Sequence, residues 1–243
     1  MSDAMSDTCK VWTRFESKKR DGTSIKLRIQ SWKLKPQDAV FDLVMKHFVP
    51  EEAIHKAAGI SKSPEAFQEY SELMTHFFKV APLHTIVCCV DNESNTVDQI
   101  VGLSIAQLMK NTDKLEDIVN DMEFKSEEMQ QLLHAAKVLE GYLKEKASCY
   151  ETYYFGRGIF VHPEYRKMGI ANELIKVKKL ICIDNNVPMT CAGMSAVGTQ
   201  RAAEKNNWKT FSDISIEELE EETGLTFGDD AISKHKLMYT TIN

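Results

Sequence analysis

The chain has 243 residues, 43% of them hydrophobic and 27% charged, which excludes wholesale disorder and suits one large domain or two small ones with a substantial core. Its 30 Lys and Arg against 36 Asp and Glu leave a net charge of −6, so there is no global attraction for nucleic acid or anionic lipid, and an anionic ligand needs a local cradle. No apolar run reaches the roughly 18 residues that span a bilayer, and the polar, acid-containing start is no secretory leader, so a cytoplasmic protein without a membrane partner is expected.

Residues 1–22 are polar and read as a flexible N-terminal segment, leaving 23–243 as a single domain. Ile25, Leu27 and Ile29 alternate with Lys26, Arg28 and Gln30, the pattern of a half-buried strand. Pro36 opens a helix with Val40, Phe41, Val44, Met45 and Phe48 on one face, and Pro50 is expected to end it. Ser63-Pro64 starts a second helix, a cap followed by proline at the first helical position, with a stripe of Phe67, Tyr70, Met74, Phe77 and Phe78. Residues 85–90 and 97–109 read as a strand hairpin across a turn at 91–95. Ser126, with Glu127 and Glu128, starts a long helix carrying Met129, Leu132, Leu133, Ala136, Leu139 and Leu143.

The aromatic run 150–160 is a strand interrupted by Gly156 and Gly158, which mark a bulge or a close ligand approach. Beyond it, Ile170, Leu174, Val177 and Ile181 form a helix face, 188–194 a short strand and 198–205 a short helix. Residues 208–214 and 236–242 read as terminal strands, and the acidic run 217–222 as a solvated surface segment. The alternation predicts one α/β, or α+β, domain with a mixed sheet. Cys9, Cys88, Cys89, Cys149, Cys182 and Cys191 form no C-x-x-C pair and read as free thiols of a reducing compartment. The seven histidines show no ligand spacing, so no metal is expected.

The segment 158–174 carries the chemistry. A strand ends at Val161, and Pro163, which has no amide donor, stops its ladder. Arg166, Gly169 and Ala171 then stand in the spacing R-x-x-G-x-A at the start of an amphipathic helix. Unpaired amides at a helix N-terminus form an anion site. Gly169 lets backbone approach a phosphate, Ala171 keeps that approach clear, and Arg166 and Lys167 add charge. The pattern is neither a Walker A loop nor a dinucleotide fingerprint, and its plain alternative is an ordinary strand–turn–helix.

Residues 161–171, VHPEYRKMGIA, resemble the acetyl-CoA-binding motif of the GCN5-related N-acetyltransferase superfamily. Three further pieces resemble the insect-type arylalkylamine N-acetyltransferases within it: the acid-containing 48–55, the serine-bearing 191–201, and 203–208. Departures are Ala53 where the family has Pro, His55 for Asn, Thr199 for Ser, and Asn206-Asn207-Trp208 for L-G-F. The resemblance implies a mostly antiparallel twisted sheet flanked by helices and splayed at the coenzyme-binding strand. It also implies acetyl-CoA as co-substrate, held by Phe160, Val161, Arg166, Lys167, Met168, Gly169, Ile170 and Ala171, with Lys205 reaching a phosphate or facing solvent.

Amide formation from an amine and a thioester needs a neutral amine, although an alkylamine has a pKa of about 10. By resemblance Glu52 is the general base, with its neighbour Glu51 left open and a helix-flanking surface acid as the other reading. Amides around Phe160 and Val161 serve the oxyanion. Ser195 and Thr199 assist the leaving thiolate or cap the short helix, and Tyr239 donates to sulfur or packs in the core. Phe41, Phe48, Phe77, Phe78 and Tyr154 line an arylalkyl pocket or pack as core. The expected activity is acetylation of a small primary amine such as dopamine, serotonin, tyramine or octopamine by direct attack in a ternary complex, with a monomer favoured. The alternatives are a polyamine or guanidino-alkylamine acceptor, a longer acyl donor, or a coenzyme-A-binding protein without catalysis.

Overall fold

The computed structural model describes residues 10–35, 38–92, 97–229 and 232–242. In chain order the strands are β1 (Val11–Lys18), β2 (Ser24–Trp32), β3 (Leu83–Val90), β4 (Ile100–Lys110), β5 (Thr152–Val161), β6 (Met189–Met194), β7 (Lys209–Ser215) and β8 (Lys234–Thr241). The helices are α1 (Ala39–Leu43), α2 (Val49–Glu51), α3 (Ala53–Ala58), α4 (Pro64–Val80), α5 (Leu115–Val119), α6 (Glu127–Ala147), α7 (Ile170–Asp184), α8 (Val197–Lys205) and α9 (Ile216–Thr223). No helix among the described residues is long and apolar enough to cross a membrane.

The strands form one eight-stranded sheet in the order β1-β2-β3-β4-β5-β6-β8-β7. Every neighbouring pair is antiparallel except β5 and β6. One core packs α1, α4 and α6 against the sheet around Val40, Phe41, Leu103, Met129 and Phe160. The other packs α7 against the opposite face around Leu27, Ile29, Ile86, Leu174 and Val177.

The sheet has two irregularities at its centre. Opposite β4, the register slips between Ile105, which faces Gly158, and Ala106, which faces Gly156, so Arg157 is an extra residue on β5. On the other edge β5 pairs with β6 only at Tyr154, Phe155 and Gly156; beyond Gly156 and Ala192 the parallel strands part. This is the splay implied by the resemblance.

Several sequence expectations change. The flexible segment drawn over residues 1–22 contains β1, an edge strand whose exposed Arg14, Glu16 and Lys18 alternate with partly buried Thr13, Phe15 and Ser17. None of its side chains is fully buried, so its composition reads as a tail; residues 1–9 of that segment lie outside the described residues. Arg28 and Gln30 are not on a wet face. They are 0% and 4% exposed, and Arg28 satisfies its guanidinium on Gln30 and Asp91. Pro50 does not end the first helix. The chain passes through a π-helical turn at Val44–Phe48 into α2, whose first turn needs no amide from proline. The acidic run 217–222 lies in α9, capped by Ser215 and anchored by buried Leu219. The hairpin turn read at 91–95 is described only as far as Asn92.

Candidate active site

The splay opens into a cavity of about 610 Å³. Its lining runs from Arg166 and Ala171 at the start of α7, along residues 156–161 of β5, to Glu52 of the α2–α3 corner and Ser195 after β6. One void therefore touches the proposed anion cradle and the proposed catalytic acid.

The cradle is built by local backbone chemistry. After β5 ends, Pro163–Tyr165 makes a single 3-10 turn. Lys167 and Gly169 then take φ values of 68° and 77°, turning the chain sharply into α7. No side chain caps α7, so its first-turn amides have no internal partner and carry the positive end of the helix dipole. A Cβ on Gly169 would meet nothing within 4 Å, so open space stands over those amides. Met168, buried, has its carbonyl held by the Ser17 hydroxyl of β1 at 2.8 Å. Arg166 donates through Nε to the Val161 carbonyl at 3.2 Å and pairs with Glu51.

Of the expected coenzyme residues, Phe160, Val161, Arg166 and Ala171 line the cavity. Met168 and Ile170 bury their side chains and offer only backbone. Lys205, at the far end of α8, is exposed and does not line it.

Glu51 and Glu52 face different ways. Glu51 is half-exposed beside Arg166. Glu52 turns inward, with 12% of its side chain exposed. Its Oε2 accepts the Ile54 and His55 amides at 2.9 and 3.1 Å, capping α3, and His55 Nδ1 at 2.7 Å. Its Oε1 accepts the Ser195 hydroxyl at 2.5 Å. A carboxylate only accepts, so Nδ1 carries hydrogen toward Glu52, while Nε2 lies 2.9 Å from the Tyr70 hydroxyl. Burial alone would raise the Glu52 carboxyl, but the hydrogen bond and charge of His55, then the Ser195 hydroxyl, outweigh it and hold the pKa at about 2. Tyr70 moves the other way, raised by burial and by the Glu52 charge.

The hydroxyls are committed within the protein. Ser195 donates to Glu52, and Thr199 donates to the Ala196 carbonyl at 2.8 Å. Neither caps α8, whose N-cap is Ala196 with no side-chain bond. Tyr239 stacks on Phe211 at 3.9 Å and does not line the cavity. Among the expected pocket aromatics Phe48 lines the cavity, while Phe41, Phe77, Phe78 and Tyr154 are buried in the cores.

Two cavity-lining cations were not anticipated. Lys178 is 3% exposed, and its Nζ has no hydrogen-bond partner; burial lowers its pKa to about 8. It stands at the last β5–β6 pair, where a Cβ on Gly156 would lie 3.1 Å from Nζ and 2.7 Å from the Ala192 Cβ. Arg157, the bulge residue, lies over the rings of Phe155 and Phe77 at 4.6 and 5.4 Å. Burial lowers its pKa to about 10. Lys178 had a sequence signal, since it continues the apolar series Ile170, Leu174 at intervals of four. So had Arg157, a charge between two glycines in an aromatic strand.

No family model and no curated protein matches the chain by sequence. Solved structures do match by shape. A protein of the yellow fever mosquito Aedes aegypti, provisionally named arylalkylamine N-acetyltransferase 7, superposes with a TM-score of 0.80 at 19% identity, covering 99% of this chain and 98% of that one. Arylalkylamine N-acetyltransferase 2 of Aedes aegypti gives 0.67 at 17%, over 89% and 99%. The polyamine N-acetyltransferase of Drosophila melanogaster, which forms N-acetylagmatine, gives 0.68 at 10%, over 88% and 99%. The fold is that of the GCN5-related N-acetyltransferases, and it resembles the insect arylalkylamine enzymes.

Proposed function

We propose that this chain is an acetyl-CoA-dependent N-acetyltransferase for a small primary amine, with arylalkylamines as the leading acceptor class. The observation that carries this reading is the single cavity joining the uncapped start of α7 to the Glu52–Ser195 pair through the splay. Acetyl-CoA, when bound, supplies the thioester that an amine attacks. The chain's residues fit it: the α7 amides and Arg166 suit a diphosphate, and the edge of β5 beyond Gly156, left without a β6 partner, suits an extended arm. The amides of Phe160 and Val161 are the proposed oxyanion donors.

Glu52 is the acid proposed to face the amine, since Glu51 is turned to the surface by Arg166. With its pKa at about 2 it sets a fixed negative charge. Moving a proton from an ammonium of pKa about 10 onto this depressed carboxylate is strongly uphill, so the proton does not rest there. Glu52 therefore acts as a general base only as the first station on a path through water to solvent, and as the anchor that draws in the cation. Thiolate charge falls to Lys178, the cavity-lining ammonium without an internal acceptor, because Ser195 and Thr199 have spent their hydrogens.

The test is calorimetric titration of coenzyme A, followed by mass spectrometry of amide products from phenethylamine, tyramine, putrescine and agmatine. Binding without transfer to any acceptor would leave a coenzyme-A-binding protein and remove the enzymatic reading. Arg166→Ala should weaken coenzyme A by about tenfold, a modest loss because this half-exposed side chain adds one charged contact to a site made of backbone.

A further inference from the structure

The acids lining the cavity are all engaged by the protein itself. Glu51 pairs with Arg166, Glu52 with His55 and Ser195, and Glu140 with Lys144. Arg157 has no carboxylate partner among the described residues. Its Nε and Nη2 converge on one neutral acceptor, Gln107 Oε1, at 2.8 and 2.5 Å, and Nη2 also reaches Met109 Sδ at 3.7 Å. Nη1 donates to no protein atom among the described residues. A guanidinium carries five N–H donors in a fixed fork, so both Nη1 hydrogens remain for an acceptor inside the cavity that Arg157 lines. The rings of Phe155 and Phe77 pack against the guanidinium. A partly buried guanidinium whose carboxylate neighbour, Glu140, acts on it only through space is satisfied by an oxygen and repels a second cation.

We propose that Arg157 is the specificity-determining residue of the acceptor site: it receives an oxygen at the far end of the amine, a phenolic hydroxyl or a carboxylate, and turns away amines that carry a second positive charge. This rests on the acetyltransferase reading above and divides its acceptor classes. An arylalkylamine with a ring oxygen presents its ammonium toward Glu52 and its oxygen toward Nη1. A diamine or guanidino-alkylamine sets like charge against the fork.

The experiment compares kcat/KM for phenethylamine, tyramine, 4-(2-aminoethyl)benzoate, putrescine and agmatine in the unaltered enzyme, Arg157→Gln and Arg157→Lys. The unaltered enzyme should prefer tyramine or the benzoate over phenethylamine by about tenfold and reject both dications by about hundredfold relative to tyramine. Which of the two oxygen-bearing amines leads identifies the oxygen. In Arg157→Gln the ratio of the preferred amine to phenethylamine should fall below about threefold, and rejection of the dications should weaken at least tenfold. Arg157→Lys should keep that rejection while losing the oxygen preference, because it retains charge but not the fork. Ratios within one variant cancel general damage, and coenzyme A affinity reports folding. Equal use of agmatine and tyramine by the unaltered enzyme, or ratios unchanged in both variants, overturns the proposal. Absence of coenzyme A binding in the unaltered protein overturns the acetyltransferase reading first, and this inference with it.

Discussion

Glu52→Ala lowers kcat/KM for a primary amine by about 10²–10³-fold and lowers stability by about 3 kcal/mol. The two losses share one cause. The carboxylate caps α3, orients His55 and fixes the Ser195 hydroxyl, so removing it leaves a part-buried hydroxyl, an imidazole and two amides without their acceptor. The stability figure follows from the lost cap and the partners left without an acceptor, and the pH dependence from the depression of the carboxyl below its ordinary 4.5. The sign is fixed by that depression. The contribution is present above pH 4.5, where the unfolded chain is also ionised, and is lost as pH falls toward 2. A denaturant series at pH 6 and pH 3 should show the native protein losing stability between them by more than Glu52→Gln does. Activity should follow the ionisation of the amine, with no limb from Glu52 above pH 4. A kcat/KM within threefold of the native value in Glu52→Ala would remove this residue from the reaction.

Gly169→Trp abolishes coenzyme A binding, raising Kd by at least about a hundredfold, while the protein still folds. The substitution separates cradle from scaffold. A side chain at Gly169 enters open space, so the fold bears only the left-handed φ of 77°, at about 1–2 kcal/mol. The same open space is where a diphosphate must come to meet the α7 amides, and an indole there blocks it. Isothermal calorimetry reads the binding, and thermal melting reads the fold. Native-like affinity in Gly169→Trp would place the nucleotide elsewhere and sink the functional reading.

The parts legible in the sequence were those decided by neighbours along the chain. Ser63-Pro64 announced the start of α4 because capping and proline at the first position act within one turn. The turn into α7 was legible because R-x-x-G-x-A contains the whole device, including the glycine that takes positive φ. What stayed hidden was decided across the sheet. Arg28 reads as the polar side of a half-buried strand until neighbouring strands enclose it. The cap of α3 escaped notice because Glu, unlike Ser or Asp, is not among the preferred N-caps; its two-sided role needs His55 in the next turn and Ser195 from the far side of the cavity. The direction of Glu51 as against Glu52 could come only from their partners, Arg166 and Ser195.

The hydrogen bond from Ser17 to the Met168 carbonyl fastens the outermost strand to the loop that would grip the nucleotide. Edge strands fray readily, so occupancy of the loop and integrity of that margin are thermodynamically linked, each favouring the other by the same factor. Saturation with nucleotide should therefore slow deuterium uptake along β1, and trimming the first hairpin should cost affinity through the loss of that hydrogen bond.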